Sequence, residues 1–199
     1  MLIHLSQLSG DAAYFTMIQT IVPRPVAWVI SDSGEGRLNL APFSFFNAVS
    51  SDPPLVMLGI ASRDDGSPKD TWRNIAERDF FVIHIASVEH APAVVKSAAP
   101  LPHGESEIPH AGLSAVPFDG FPLPRLKEAK VALACRREKL IAAGDNMLIL
   151  GRVEKIFLDD SIAQHDAKGR LKVDAALLDP LCRLGGAQFG SLGRIFEQR

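Results

Sequence analysis

Residues 23–71 read PRPVAWVISDSGEGRLNLAPFSFFNAVSSDPPLVMLGIASRDDGSPKDT. Three short runs in this stretch, Val26 to Ser31, around Arg37 to Pro42, and Leu55 to Ala61, are rich in the branched and aromatic residues that suit strands. Ser33-Gly34-Glu35-Gly36 supplies a hairpin turn between the first two, and Pro42 marks an edge or a break in the ladder. The second and third runs are joined by a polar, aromatic and hydroxyl-rich connection. Strand alternation would place Phe43 and Phe45 on one face and Phe46 on the other, so barrel core competes with ligand contact for these rings.

The third run leads into Ser62-Arg63-Asp64-Asp65-Gly66-Ser67-Pro68-Lys69-Asp70-Thr71. Ser67 as N-cap, Pro68 at the first helical position and Asp70 as capping-box partner predict a helix from near Pro68. Its apolar stripe would carry Trp72, Ile75 and Ala76, and it would fray near Arg78 and Asp79. A helix start offers unpaired N–H groups, Arg63 and Lys69 add charge, and Ser62, Ser67 and Thr71 add hydroxyls, so a dianionic phosphate fits. A well-capped surface helix behind a turn accounts for the same residues.

Working outward, Asp11 to Ile21 has helical spacing and is stopped by Pro23 and Pro25. Phe80 to Ala86, Lys130 to Arg137 and Met147 to Phe157 are further strands, and about six strands with turn signals point to a closed barrel with peripheral helices. Between Ser87 and Arg125 lie seven of the fourteen prolines, which predicts an excursion outside the barrel with a short helix over Val88 to Ser97. The chain of 199 residues, 47% hydrophobic and 22% charged, is expected to form one domain over 1–199. A formal charge of −2 with no basic stripe speaks against nucleic acid. The N-terminus lacks a signal-peptide pattern and no apolar run spans a bilayer, so a soluble, cytoplasmic protein with no membrane partner is expected.

Cys135 sits in an apolar strand pattern and reads as a buried structural thiol; Cys182 is too distant for metal spacing, and neither a disulfide nor zinc is expected. His103, Glu105, Glu107 and His110 match no ligand set, so no metal site is assigned. His84, within Phe81-Val82-Ile83-His84-Ile85, reads as a hydrogen-bonding core histidine or a neighbour of a ligand.

PRPVAWV, NLAPFSFFNAVSSDPP and KDT followed by NI together resemble the flavin reductase-like, FMN-binding split-barrel family, in the branch of flavoredoxins and reductase components of two-component monooxygenases. The likeness continues through Glu107 to Leu113, Val131 to Cys135, Gly151-Arg152-Val153 and Arg183-Leu184-Gly185-Gly186. It implies a mainly β, antiparallel, Greek-key split barrel holding FMN. It places Ser44, Phe45, Phe46 and Asn47 along the ring and ribityl, and Ser62, Arg63, Lys69, Asp70 and Thr71 around the phosphate, with Arg24 near the ring or a dimer contact. The implied activity is an NAD(P)H-dependent flavin reductase, with nicotinamide as co-substrate, hydride passing to flavin N5, and an oxygenase or electron-transfer partner. No side chain is required for acid–base catalysis. A flavoredoxin-like FMN carrier is the alternative. His84, where relatives often carry Asn, and Asn146, where many reductases carry His after Asp, depart from the pattern. A homodimer covering the flavin sites is expected, with the segment from Gly185 to Gly190 at the interface.

Overall fold

The computed structural model describes residues 1–101 and 105–198. Helix α1 (Gly10–Thr20) precedes four strands, β1 (Ala27–Gly34), β2 (Arg37–Phe43), β3 (Phe46–Ser51) and β4 (Pro54–Ala61). Then come α2 (Asp70–Arg78), β5 (Phe80–Ile85), α3 (Ala91–Lys96), the single turn α4 (Glu107–His110), and the long hairpin β6 (Val131–Ala143) and β7 (Asn146–Leu158). These seven strands make one antiparallel sheet in the order β2-β1-β5-β6-β7-β4-β3. Short segments Arg24–Pro25, Cys182–Arg183 and Phe189–Gly190 form a second small sheet.

The sheet has to be rolled. Strands β2 and β3 are its two ends, yet only Ser44 and Phe45 separate them. Three steps of extended chain cover about 10 Å, whereas six strand spacings laid flat would need about 29 Å. The core agrees, since Ala27 and Val29 of β1 share one buried cluster with Val56, Leu58 and Ile60 of β4 and with Phe81, Ile83 and Ile149. No ladder joins β2 to β3 among the described residues, so the closed barrel expected from the strand count is a rolled sheet with a seam at Ser44-Phe45. Strand β5 returns beside β1 instead of following β4.

Strand β1 is buried on both faces, Ala27 and Val29 inward and Trp28 and Ile30 outward, which is why its sequence is a continuous apolar run. The outer face is covered by the proline-rich excursion through Ile108, Phe118, Leu123 and Leu126. Gly151 on β7 makes room for the ring of Phe81, which a Cβ at that position would overlap. Pro42 lies on the edge strand β2, as its missing donor requires.

Three sequence expectations are corrected here. The stretch from Phe46 to Ser51, read as a connection, is edge strand β3, held by pairing to the apolar β4. The phenylalanine alternation fails because β2 ends at Phe43 and the chain crosses the seam. Phe43 and Phe46 both pack on the inner cluster, while Phe45 turns to Tyr14 at 6.4 Å between ring centroids. The helix expected over Val88 to Ser97 divides into a 3₁₀ turn, Val88–His90, and α3.

Candidate functional site

The segment from Ser62 to Thr71 folds as a pinned turn before the helix. Arg63 N donates to Ser67 O at 2.8 Å and the Arg63 Nη1 donates to Pro68 O at 2.6 Å, which keeps Ser67 and Pro68 out of α2. The N-cap is therefore Lys69, two residues later than the sequence pattern indicates, and its side chain caps nothing. Asp70 closes no capping box; its carboxylate accepts from Arg63 Nη2 at 2.6 Å and from Arg73 Nη2. The first-turn amides of α2 thus lack a side-chain cap, and Lys69 has no acidic partner among the described residues. Such a start is a fit for an anion.

The buried residues of α2 are Thr71, Asn74 and Ile75; of the expected stripe, Ile75 is in the inner cluster and Trp72 packs against it half-buried, and the polar Thr71 and Asn74 extend the buried face. It rests on β1 and β2 through a polar network. Asn39 Nδ2 donates to Thr71 Oγ1 at 2.9 Å and to Ser31 Oγ at 3.3 Å, and Asn74 Nδ2 donates to Ser31 Oγ and Ser33 Oγ at 3.1 Å each.

A cleft of about 490 Å3 gathers Arg63, Lys69, Asp70 and Thr71 with Asn39, Pro42 and Phe43, and is bounded by Ser97 to Leu101 and Glu107. A second, mainly apolar cleft of about 330 Å3 gathers Arg24, Ser44, Phe45, Phe46 and Asn47 with Met17, Ile18, Met57 and Leu148. A third, also of about 330 Å3, has Pro42 and Phe43 in common with the first and Ser44 in common with the second. The sequence-derived site residues thus fall into two groups in different clefts, Arg63, Lys69, Asp70 and Thr71 in the first and Arg24, Ser44, Phe45, Phe46 and Asn47 in the second, and the third cleft shares Pro42 and Phe43 with the one and Ser44 with the other. Ser62 lines neither; its N–H donates to Asp145 O at 3.0 Å beside the β6–β7 turn.

Arg24 is buried, and its guanidinium is committed to the fold. It donates to Ile18 O at 2.8 Å, Ile21 O at 2.7 Å, Leu184 O at 3.0 Å and Ser44 Oγ at 3.4 Å, tying the end of α1 and the Arg183-Leu184-Gly185-Gly186 turn to the seam. Asn47 Oδ1 accepts from Ala48 N at 2.8 Å. Gly59 N donates to Phe45 O at 2.7 Å, which fixes the seam against β4.

His84 is fully buried and structural. Its Nδ1 meets Trp28 O at 2.9 Å and its Nε2 accepts from Leu126 N at 2.9 Å, so the ring is neutral with the proton on Nδ1. Burial holds its pKa down at about 4. Glu107 Oε2 accepts from Leu40 N at 2.8 Å on the free edge of β2, and burial raises its pKa. His103 lies outside the described residues. Asn146 Nδ2 donates to Asp145 Oδ1 at 2.8 Å. Both cysteines are free and buried, and burial pushes the Cys135 thiol far up, as expected of a structural thiol. Asn39 was missed as a site residue by sequence reading. The signal was a pair of polar residues, Ser31 and Asn39, facing each other across the first hairpin.

A family model described as "Flavin reductase like domain" matches residues 19–173. The crystal structure of nitrilotriacetate monooxygenase component B from Bacillus cereus superposes with a TM-score of 0.90 at 34% identity, over 100% of this chain and 98% of that one. That of the 2-nitrobenzoate 2-nitroreductase NbaA from Pseudomonas fluorescens gives 0.87 at 26% identity, over 100% and 96%. An NADH:riboflavin 5'-phosphate oxidoreductase of Streptomyces pristinaespiralis is 38% identical over 113 residues, 57% of this chain and 58% of that protein. No helix among the described residues is long and apolar enough to cross a membrane.

Proposed function

Because the chain belongs to the flavin reductase-like domain family, we propose that it binds FMN along the Pro42-Phe43-Ser44 wall and works as an NAD(P)H-dependent flavin reductase, one domain over 1–199 that supplies reduced flavin to an oxygenase. The observation that carries this reading is the start of α2, without a side-chain cap and with Lys69 lacking an acidic partner among the described residues, opening into the same cleft as Phe43. When bound, FMN supplies the acceptor for hydride from a nicotinamide. The chain's own part is to bind, orient and exclude water.

In this reading Lys69, the first-turn amides and Thr71 hold the phosphate. Arg63 adds charge while Asp70 fixes the guanidiniums of Arg63 and Arg73. Ser62 steadies the approach of the β6–β7 turn. Ser44, Phe45, Phe46 and Asn47 offer backbone groups and apolar surface to the ring, and Arg24 positions that segment through Ser44. The oxygenase partner is suggested by the name of the Bacillus cereus relative, a monooxygenase component B, and NADH by that of the Streptomyces relative. A homodimer is proposed because Ile21, which lines the apolar cleft, and Tyr14, whose ring meets Phe45 of that cleft, are each more than half exposed. Light scattering should report about twice the 21.5 kDa chain mass; a monomer with full FMN affinity would show that one chain completes the site.

A second reading, an FMN-binding electron carrier, draws on Asn146, whose side chain is turned onto Asp145 and cannot titrate. Anaerobic titration with FMN, FAD and riboflavin tests the shared premise, and absence of binding at micromolar concentration rejects both readings. Steady-state NAD(P)H oxidation with and without added free flavin separates them: turnover with free flavin marks the reductase, and none marks the carrier.

A further inference from the structure

We propose that Asn39 is a positioning residue for the flavin phosphate, acting through Thr71 by aiming the threonine hydroxyl proton into the cleft. The inference rests on the reading that the phosphate lies at the start of α2.

Asn39 stands on edge strand β2 directly opposite Ser31 of β1, and both side chains face α2. Thr71 is 1% exposed but lines the phosphate-type cleft. A hydroxyl has one proton to give and two lone pairs to fill. One lone pair of Thr71 takes the Asn39 Nδ2 proton at 2.9 Å, and among the described residues no protein acceptor receives the Thr71 proton. Donation from Asn39 on one side turns the hydroxyl proton away from that side. What remains is a buried donor satisfied only by something in the cleft, and leaving such a donor unmet is costly. An anionic oxygen in the cleft is the acceptor of best match.

The same network explains why Asn39 holds still. Its amide also donates to Ser31 Oγ at 3.3 Å, and Ser31 is in turn held by Asn74, one helical turn after Thr71. Helix and hairpin therefore fix the amide from both sides, and the hydroxyl is oriented before any ligand arrives, so no rotamer has to be frozen on binding.

The test is fluorescence titration of the full chain with FMN and with riboflavin, read as the ratio of the two dissociation constants, for the wild type, Asn39→Ala, Asn39→Asp, Thr71→Val and the double variants. Thr71→Val should reduce the preference for FMN about tenfold, the low end for a hydrogen bond to a charged group. Asn39→Ala should reduce it severalfold, and should do nothing further in the Thr71→Val background. Asn39→Asp, close in shape but able to accept the threonine proton, should reduce it more when Thr71 is present than when it is replaced, and it carries the test if Asn39→Ala does not fold. Equal losses for FMN and riboflavin would make Asn39 merely structural and overturn the proposal. So would an unchanged ratio, or the same loss in both backgrounds. A wild type with no preference for FMN over riboflavin would instead reject the phosphate assignment itself, and the inference with it.

Discussion

Two buried polar centres in this molecule end differently. At His84 both ring nitrogens have protein partners, Trp28 O and Leu126 N, and the group lies between β5, β1 and the excursion with nothing left over. At Thr71 the hydroxyl accepts from Asn39 and its proton finds no protein acceptor among the described residues. Both side chains are almost inaccessible, so burial does not tell them apart. The count of unmet hydrogen bonds, taken with position, does: a completed set reads as architecture, and an open one on the wall of a cleft reads as an address for a ligand. Ser31 Oγ, which also only accepts, lines none of the three clefts.

The difference has measurable consequences, the largest at the completed centre. Replacing His84→Leu orphans Leu126 N and Trp28 O together, and should cost about 2–5 kcal/mol in urea unfolding, with little change in the affinity of the folded protein for FMN. If flavin affinity fell with stability unchanged, His84 would belong to the site and the contrast would fail.

The pH dependence of stability comes next. His84 is held at about 4 against an ordinary 6.5. The unfolded chain therefore binds the extra proton between these values, so stability is complete above pH 6.5 and is lost as pH falls towards 4. Over that window the loss should reach about 3 kcal/mol. Glu107, whose pKa burial raises, works in the opposite sense at the acid end, so the difference between wild type and His84→Asn isolates the histidine. An unchanged slope in His84→Asn would show that the imidazole is not the group being titrated.

On the open side the effects move from stability to ligand. Lys69→Ala should weaken FMN about tenfold or more and leave riboflavin little changed, while equal losses would assign Lys69 to structure. The smallest effect is on the fold at Thr71: Thr71→Val keeps the branched shape and should change unfolding free energy by about 1 kcal/mol or less. A loss as large as that at His84 would mean that the network under α2 exists to hold the fold, and the two centres would be of one kind.

The strands were legible where apolar residues carry them. The sequence boundaries for β1, β2, β4, β5 and β7 fall within a few residues of the structure, and β6 only runs on past Arg137 to Ala143. Strand β3 was not legible, because Asn47, Ser50 and Ser51 have no strand pattern of their own and are held by the neighbour. The start of α2 was misplaced because a distant side chain decides it: Arg63 reaches forward to Pro68 O and Asp70, and local capping rules do not contain that reach. Arg63, Lys69, Asp70 and Thr71 do converge on one cleft, as the loop and helix start suggested. The role of Asn39 was hidden because it depends on a helix that begins some thirty residues later in the chain packing onto that hairpin.

The two-residue seam at Ser44-Phe45 also sets an order of assembly. Hairpins β1–β2 and β3–β4 are local and tethered to each other at once, but the sheet between them is completed only by β6 and β7, with β6 pairing to β5 and β7 to β4. Those strands begin at Val131, well after β5 ends at Ile85, so the slow step is a long-range insertion of one hairpin between two waiting edges. During synthesis the open sides of β5 and β4 are exposed backbone edges, the kind of surface that pairs with other chains. A chain cut before Val131 should therefore be a sticky fragment, and the finished protein covers these edges only when its second half arrives.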